Sequence, residues 1–315
     1  HDEYMAAVFN IALTGSCAFM LIFLADILAQ FTYFAGFSKS QTTPQRLFSP
    51  RRERKIHWEN LLNFLPLTAK AFAVKEIRTF FRDSTQWPQL FLMGALIVIY
   101  LYNFSVLPLD KSPIKTVYLQ NLFSFLNMGL AAFVLSAVAA RFVYPAVSME
   151  STAFWIVQAA PVSTKTFLWI KFFVYYFPLI VMAEILIIAS NLLLQVSVFM
   201  MVLSIVTIFC LVPALVALGI GLGAVYPDFK SENPAQVVTS FGGMLFMILC
   251  FTLIAIVIIL EAGPVYYILM AGMRNQSVAI WQIAWLIGSF TIAFLLCSFA
   301  VIYPMRLGAR SLQIK

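Results

Sequence analysis

Long apolar stretches separated by short polar breaks run through this chain, and their lengths decide its class. About 20 apolar residues cross a bilayer as a helix. The stretches at 5–35, 88–107, 117–138, 172–194, 199–225, 237–261 and 279–303 meet or approach that length. The pattern predicts an all-α, polytopic integral membrane protein with seven spans. The pattern argues against a β-barrel, because barrel strands alternate over about 10 residues and are not uniformly apolar. The longest polar-containing break after residue 87 is Arg141–Lys171, which holds Glu150, Pro145, Pro161 and several hydroxyls. Its apolar piece, Ala153–Ala160, is too short to cross a bilayer. It is expected to form a short helix at the membrane surface and to present it to something in the water.

A second surface element lies at 67–83, LTAKAFAVKEIRTFFRD. Pro66 precedes it and suits a helix start. Ala69, Ala73, Ile77 and Phe80 recur at helical spacing, with Lys75, Arg78 and Arg82 opposite. A basic amphipathic helix of this kind lies in the membrane interface with its aromatics in lipid, as an anchor or as a lever touching a partner. Trp87 marks the interface where the second span begins. The turn Tyr226–Pro234, including Asp228, is a second polar place for a partner.

Charge then sets orientation. Lysines and arginines crowd into alternate connections, seventeen on one side of the membrane and three on the other. The positive-inside rule places the rich side in the cytoplasm, so the N-terminus is expected outside and the C-terminus inside. The run Ser49–Lys55, SPRRERK, is read as part of a solvated cytoplasmic linker; no aromatic-studded basic fold accompanies it, so nucleic acid is not an expected partner. Composition agrees with the class: 62% hydrophobic, 10% charged and a mean hydropathy of +0.93, against about 25% charged in soluble domains.

Few residues invite chemistry. Cys17, Cys210, Cys250 and Cys297 all fall in apolar spans without a CxxC pair, and read as small packing residues. The histidines, His1 and His57, are far apart, so no metal site is expected. Gly219, Gly221 and Gly223 form a GxGxG, but inside an apolar span small residues serve close helix packing. Asp26 and Glu184 are acids within spans, where charge is expensive, and are the candidate pathway residues. Glu261 is expected near the outer interface. No GxxxxGK[ST] phosphate loop and no hydrolytic constellation occurs, so the chain is not expected to be an enzyme.

Three motifs together carry a resemblance. Lys75–Gln89, KEIRTFFRDSTQWPQ, resembles the entry to the first span of type-2 ATP-binding-cassette exporter permeases, in the branch called putative ABC exporters. Glu150, the pair Ala160–Pro161 with Ser163, and Lys171 resemble that family's acidic start, its xPxS turn and its lysine at re-entry. Leu222–Gln236, LGAVYPDFKSENPAQ, resembles the loop near the end of its fourth span. The resemblance covers residue 58 to the end. It implies an amphipathic helix followed by a six-span bundle, with the loop after the second of those spans docking on a separate ATPase that carries ATP and Mg. It divides the chain into an additional span at 1–37, a linker and amphipathic helix at 38–86, and a permease bundle at 87–315 with its coupling segment at 141–171. Glu150, Phe154, Trp155, Ile156, Pro161, Ser163, Lys171 and Asp228 are then the expected ATPase contacts. Within that segment Pro161 suits a helix stop. Glu150 suits a helix N-terminus or a basic group on the partner, and Phe154, Trp155 and Ile156 would be apolar anchors.

The span at 5–35 has no counterpart in that pattern, and the first residue is His rather than Met. The expectation is a longer precursor or an adjacent chain supplying a second permease half or copy. The membrane implied is the bacterial cytoplasmic membrane. A rival reading is an ion-coupled secondary transporter using Asp26 and Glu184. Broken helices in inverted repeats mark such proteins; Pro178 and Pro213 are candidate breaks, but no clear repeat is present. A membrane-embedded enzyme is disfavoured by the two histidines and scattered acids. The transported molecule is not readable.

Overall fold

The computed structural model describes residues 2–42, 63, 65–82, 87–105, 116–231, 233–273 and 280–314. Among them every regular element is helical. Six helices are long and apolar enough to cross a membrane, over Ala7–Phe31, Leu119–Ala146, Thr164–Leu194, Val198–Val225, Phe241–Ala271 and Ile280–Gln313. The protein is thus a multi-pass membrane protein. The basic run at 49–55, most of the expected linker, and the connection at 108–115 lie outside the described residues.

The chain divides into two units, His1–Ile56 and His57–Lys315. Among the described residues the first consists of α1, Asp2–Thr42. The helix continues through 38–42, which the polar composition had assigned to a linker. Asp26 is exposed on it and accepts a hydrogen bond from Gln30 Nε2 at 3.0 Å, one turn along.

The second unit begins with α2, Leu67–Arg82, whose first turn closes from Lys70 N to the Pro66 carbonyl at 2.8 Å. Then follow α3 (Trp87–Ser105) and α4 (Thr116–Phe142). Helix α3 takes the place of the span expected at 88–107, and is not among the six segments above. Two 3-10 turns, Tyr144–Ala146 and Ser148–Ala153, lead into α5, Phe154–Ala159. The remaining helices are α6 (Thr164–Leu194), α7 (Val198–Val225), the short α8 (Pro234–Val238), α9 (Phe241–Met273) and α10 (Ile280–Ile314).

Two boundaries differ from expectation for one reason. A backbone hydrogen-bond ladder does not stop where apolar composition stops. Helix α6 starts at Thr164, so Lys171 lies two turns inside it rather than at its entry. Helix α9 continues to Met273, which carries Glu261 into the bundle, 1% exposed, instead of to the outer interface. Pro178 and Pro213 sit inside α6 and α7 without ending them. Membrane bundles tolerate this because neighbours re-satisfy the freed backbone groups.

Helix α7 is the axis of the bundle. From Leu211 to Ala224 nearly every residue is buried, against α4, α6, α9 and α10. Small residues make this possible. A Cβ on Gly221 would meet the Pro304 backbone of α10 at 2.6 Å, and one on Gly308 of α10 would meet the Gly221 carbonyl oxygen at 2.8 Å. With no hydrophobic drive between helices in lipid, close approach and buried hydrogen bonds hold them together. The hydrogen bonds cluster at the α6–α7 turn. Ser124 Oγ donates to Asn191 Oδ1 and Asn191 Nδ2 to Ser204 Oγ, both at 2.7 Å. Asn127 Nδ2 donates to Ser190 Oγ at 2.7 Å, and Ser197 N donates to Asn121 Oδ1 at 2.9 Å. Five buried amide or hydroxyl side chains of α4 and α6 are thereby fixed at the end of the bundle remote from α5.

Candidate functional site

At the opposite end, α2, the 3-10 turn and α6 bring four charges together. Lys171 Nζ lies 2.8 Å from Glu150 Oε1 and 3.0 Å from Glu76 Oε2. Lys75 Nζ reaches Glu150 Oε2 and stands 3.5 Å from Glu76 Oε1. Lys171 is 2% exposed, Glu150 7% and Glu76 9%. Lys171 also sits over the Phe167 ring, 5.2 Å from its centroid, a favourable place for a cation. Two lysines and two glutamates leave the cluster neutral, which is what allows it to be buried.

The Glu150 carboxyl shows which effect wins. Burial alone would raise its pKa. The Lys171 ammonium beside it, with hydrogen bonds from Lys171 and Lys75, outweighs burial and holds it down to about 2. Glu150 is therefore committed to lysines of its own chain. It also stands in the first turn of the 3-10 helix Ser148–Ala153.

The cluster ties the expected surface helix to the bundle. Ala69 and Ala73 of α2 pack against Ile170 of α6. Phe72 meets Phe167 edge-on with centroids 6.2 Å apart, and Phe80 lies 6.4 Å from Phe142. These aromatics face protein, where lipid was expected; Phe81 is the exposed one, at 59%. Arg78 is exposed on the other side of α2. Arg82 ends the helix, and its side chain, like that of Trp87, lies outside the described residues. Glu76 was not singled out from sequence. It falls in the apolar stripe of α2, at the helical spacing of Ala69, Ala73 and Phe80, where an acid needs a buried partner.

The segment after the cluster is short helix α5, one residue shorter at each end than Ala153–Ala160. Phe154 is turned inward, 8% exposed and stacked on Phe229 with centroids 4.7 Å apart. It anchors α5 to its own chain instead of being offered outward. Trp155 and Ile156 point the other way, 65% and 54% exposed. Pro161 is exposed just past the helix, and Ser163 is the N-cap of α6, accepting from Thr166 N at 3.2 Å. Asp228 belongs to the neighbouring turn. Its backbone N–H donates to the buried Ser148 Oγ at 3.1 Å, and its carboxylate accepts from Lys230 N at 3.1 Å. The two loops singled out in the sequence are thus one surface, joined by Ser148–Asp228 and Phe154–Phe229.

A family model described as putative ATP-binding cassette matches residues 2–314. The chain belongs to that family. No curated protein and no solved structure matches it. Within this ATP-binding-cassette family member the candidate pathway acid Glu184 is not a member of the charged cluster. Both Glu184 carboxylate oxygens are buried in α6 without a hydrogen-bond partner. Asp26 lies in the other unit. Among the described residues no group of histidine, cysteine and acid is arranged to hold a metal.

Proposed function

We propose that this chain is the permease subunit of an ATP-binding-cassette exporter, moving its substrate with ATP hydrolysed by a separate ATPase that holds ATP and Mg. Membership of the family and a membrane-helix bundle support an ABC component. The family description names the cassette, yet the sequence holds no GxxxxGK[ST] loop, which favours the membrane part of the machine over the nucleotide-binding part. One observation carries the docking surface. Exposed Trp155 and Ile156 stand on a helix braced from behind by Phe154–Phe229 and by the Lys75–Glu76–Glu150–Lys171 cluster. A push on α5 is transmitted through Glu150 to Lys171 and so to α6, and through Lys75 to α2.

The complete exporter would pair this bundle with a second permease half or copy in the bacterial cytoplasmic membrane, with the docking surface in the cytoplasm and the N-terminus outside. Tagged chain purified from its native membrane should bring down an ATPase carrying a phosphate loop, and the preparation should hydrolyse ATP. Recovery without any ATPase under mild detergents, with transport that follows an ion gradient, would favour the ion-coupled reading. The unpartnered Glu184 is the observation on that side.

A further inference from the structure

Away from the docking surface, α7, α9 and α10 enclose a cleft of about 520 Å³. Small-molecule sites span about 300–1,000 Å³. Its walls are almost wholly apolar, and Val206, Ile287 and Phe294, which line it, are also exposed at the bundle surface. The cleft therefore opens sideways, toward what surrounds the helices rather than toward a bundle end.

One wall residue is an acid. Glu261 of α9 is 1% exposed. Thr207 Oγ1 lies 2.9 Å from each of its oxygens. A single hydroxyl proton is shared between two carboxylate oxygens that together offer about four acceptor positions. Thr291, the other lining hydroxyl nearby, donates to the Ile287 carbonyl of its own helix at 2.7 Å. Glu261 is thus an under-supplied acceptor at the wall of an apolar cleft. An acid at such a depth marks a functional site by default.

We propose that this cleft binds a single-chain lipophilic amine, with its chain along Phe290 and Val206 and its ammonium directed to Glu261. The apolar walls select the chain. The carboxylate selects a cationic donor over a neutral or anionic head. Binding needs no ATPase, so this site stands or falls separately from the exporter reading.

The test is the unfolding midpoint of the full chain in mild detergent with dodecylamine, dodecanol or dodecanoic acid at equal concentration. Ligand that binds only the folded state raises the midpoint by mass action. Dodecylamine near saturation should raise it by at least about 3 °C, and the alcohol and acid should not. Glu261→Gln should abolish the rise. Ala293→Trp, which fills the cleft, should do the same. If Glu261→Gln fails to fold, Ala293→Trp and the wild-type comparison decide. Equal shifts from amine and alcohol, no shift from the amine, or a rise retained in either folded variant would overturn the proposal.

Discussion

Replacing Lys171 by Met keeps an unbranched apolar stem of four heavy atoms and removes the ammonium. The wild-type ammonium is buried at 2% exposure, between Glu150 at 2.8 Å and Glu76 at 3.0 Å. Without it two buried carboxylates face a single lysine, Lys75, whose side chain is 44% exposed. Breaking a buried ion pair by removing one partner costs roughly 3–5 kcal/mol. For a chain of this size that corresponds to a fall in unfolding midpoint of about 5–8 °C. The pH dependence should also change sign. In the wild type the Glu150 pKa is lowered from 4.5 to about 2. Its stabilisation is therefore fully present above 4.5 and is lost as pH falls toward 2. In Lys171→Met the carboxylates lose the charge that held them ionised, so the variant should gain stability as pH falls from 7 toward 5 and they take up protons. Adding Glu150→Gln removes one of the stranded charges and should restore more than half of the loss, a coupling that a double-mutant cycle reads directly. Thermal unfolding of purified protein in detergent, followed by tryptophan fluorescence at pH 5 and 7, measures all three. A loss below about 1 kcal/mol, or no recovery with Glu150→Gln, would refute the idea that the cluster braces this surface.

Gly221→Ala should destabilise by roughly 1–3 kcal/mol through overpacking against the Pro304 backbone. Gly129→Ala, whose new methyl would find Ile258 only at 3.8 Å, should be near neutral in the same unfolding assay. Glu184→Gln should keep transport, whereas Glu184→Leu should impair it; equal wild-type rates in a vesicle assay would make this acid incidental. A cysteine at Lys230, exposed in the turn that holds Asp228, should react with a membrane-impermeant maleimide only from the cytoplasmic side, and one at Ser112 only from outside; labelling of both from one side would overturn the orientation.

The long helices were legible because apolar length is a local property of the chain. Their ends were not, and the errors are instructive. Lys171 and Glu261 read as boundary residues because a charge interrupts the apolar composition. Each is instead carried within a continuing helix, and each has found a partner there: Glu150 and Glu76 for the lysine, Thr207 for the acid. Glu150, Lys171 and Lys75 were singled out separately, but their union depends on α2 packing on α6, a contact between residues about 100 positions apart. Glu76 carried a usable signal, an acid within the apolar stripe of an amphipathic helix. Phe154 carried none. Phe154, Trp155 and Ile156 are equivalent as sequence, and only the stacking on Phe229 separates the inward anchor from the two exposed side chains.

The central claim is that the outward face of α5 is where an ATPase docks. The direct measurement is the amount of ATPase recovered per permease from native membranes, for wild type and for the double variant Trp155→Ala, Ile156→Ala. Both side chains are exposed, so insertion and the unfolding midpoint should stay at wild-type values. Exposed aromatic and aliphatic anchors dominate such interfaces, so ATPase recovery should fall at least about tenfold, the effect of roughly 1.4 kcal/mol. Unchanged recovery from a normally folded, normally inserted variant would contradict the account and leave α5 as a membrane-surface anchor.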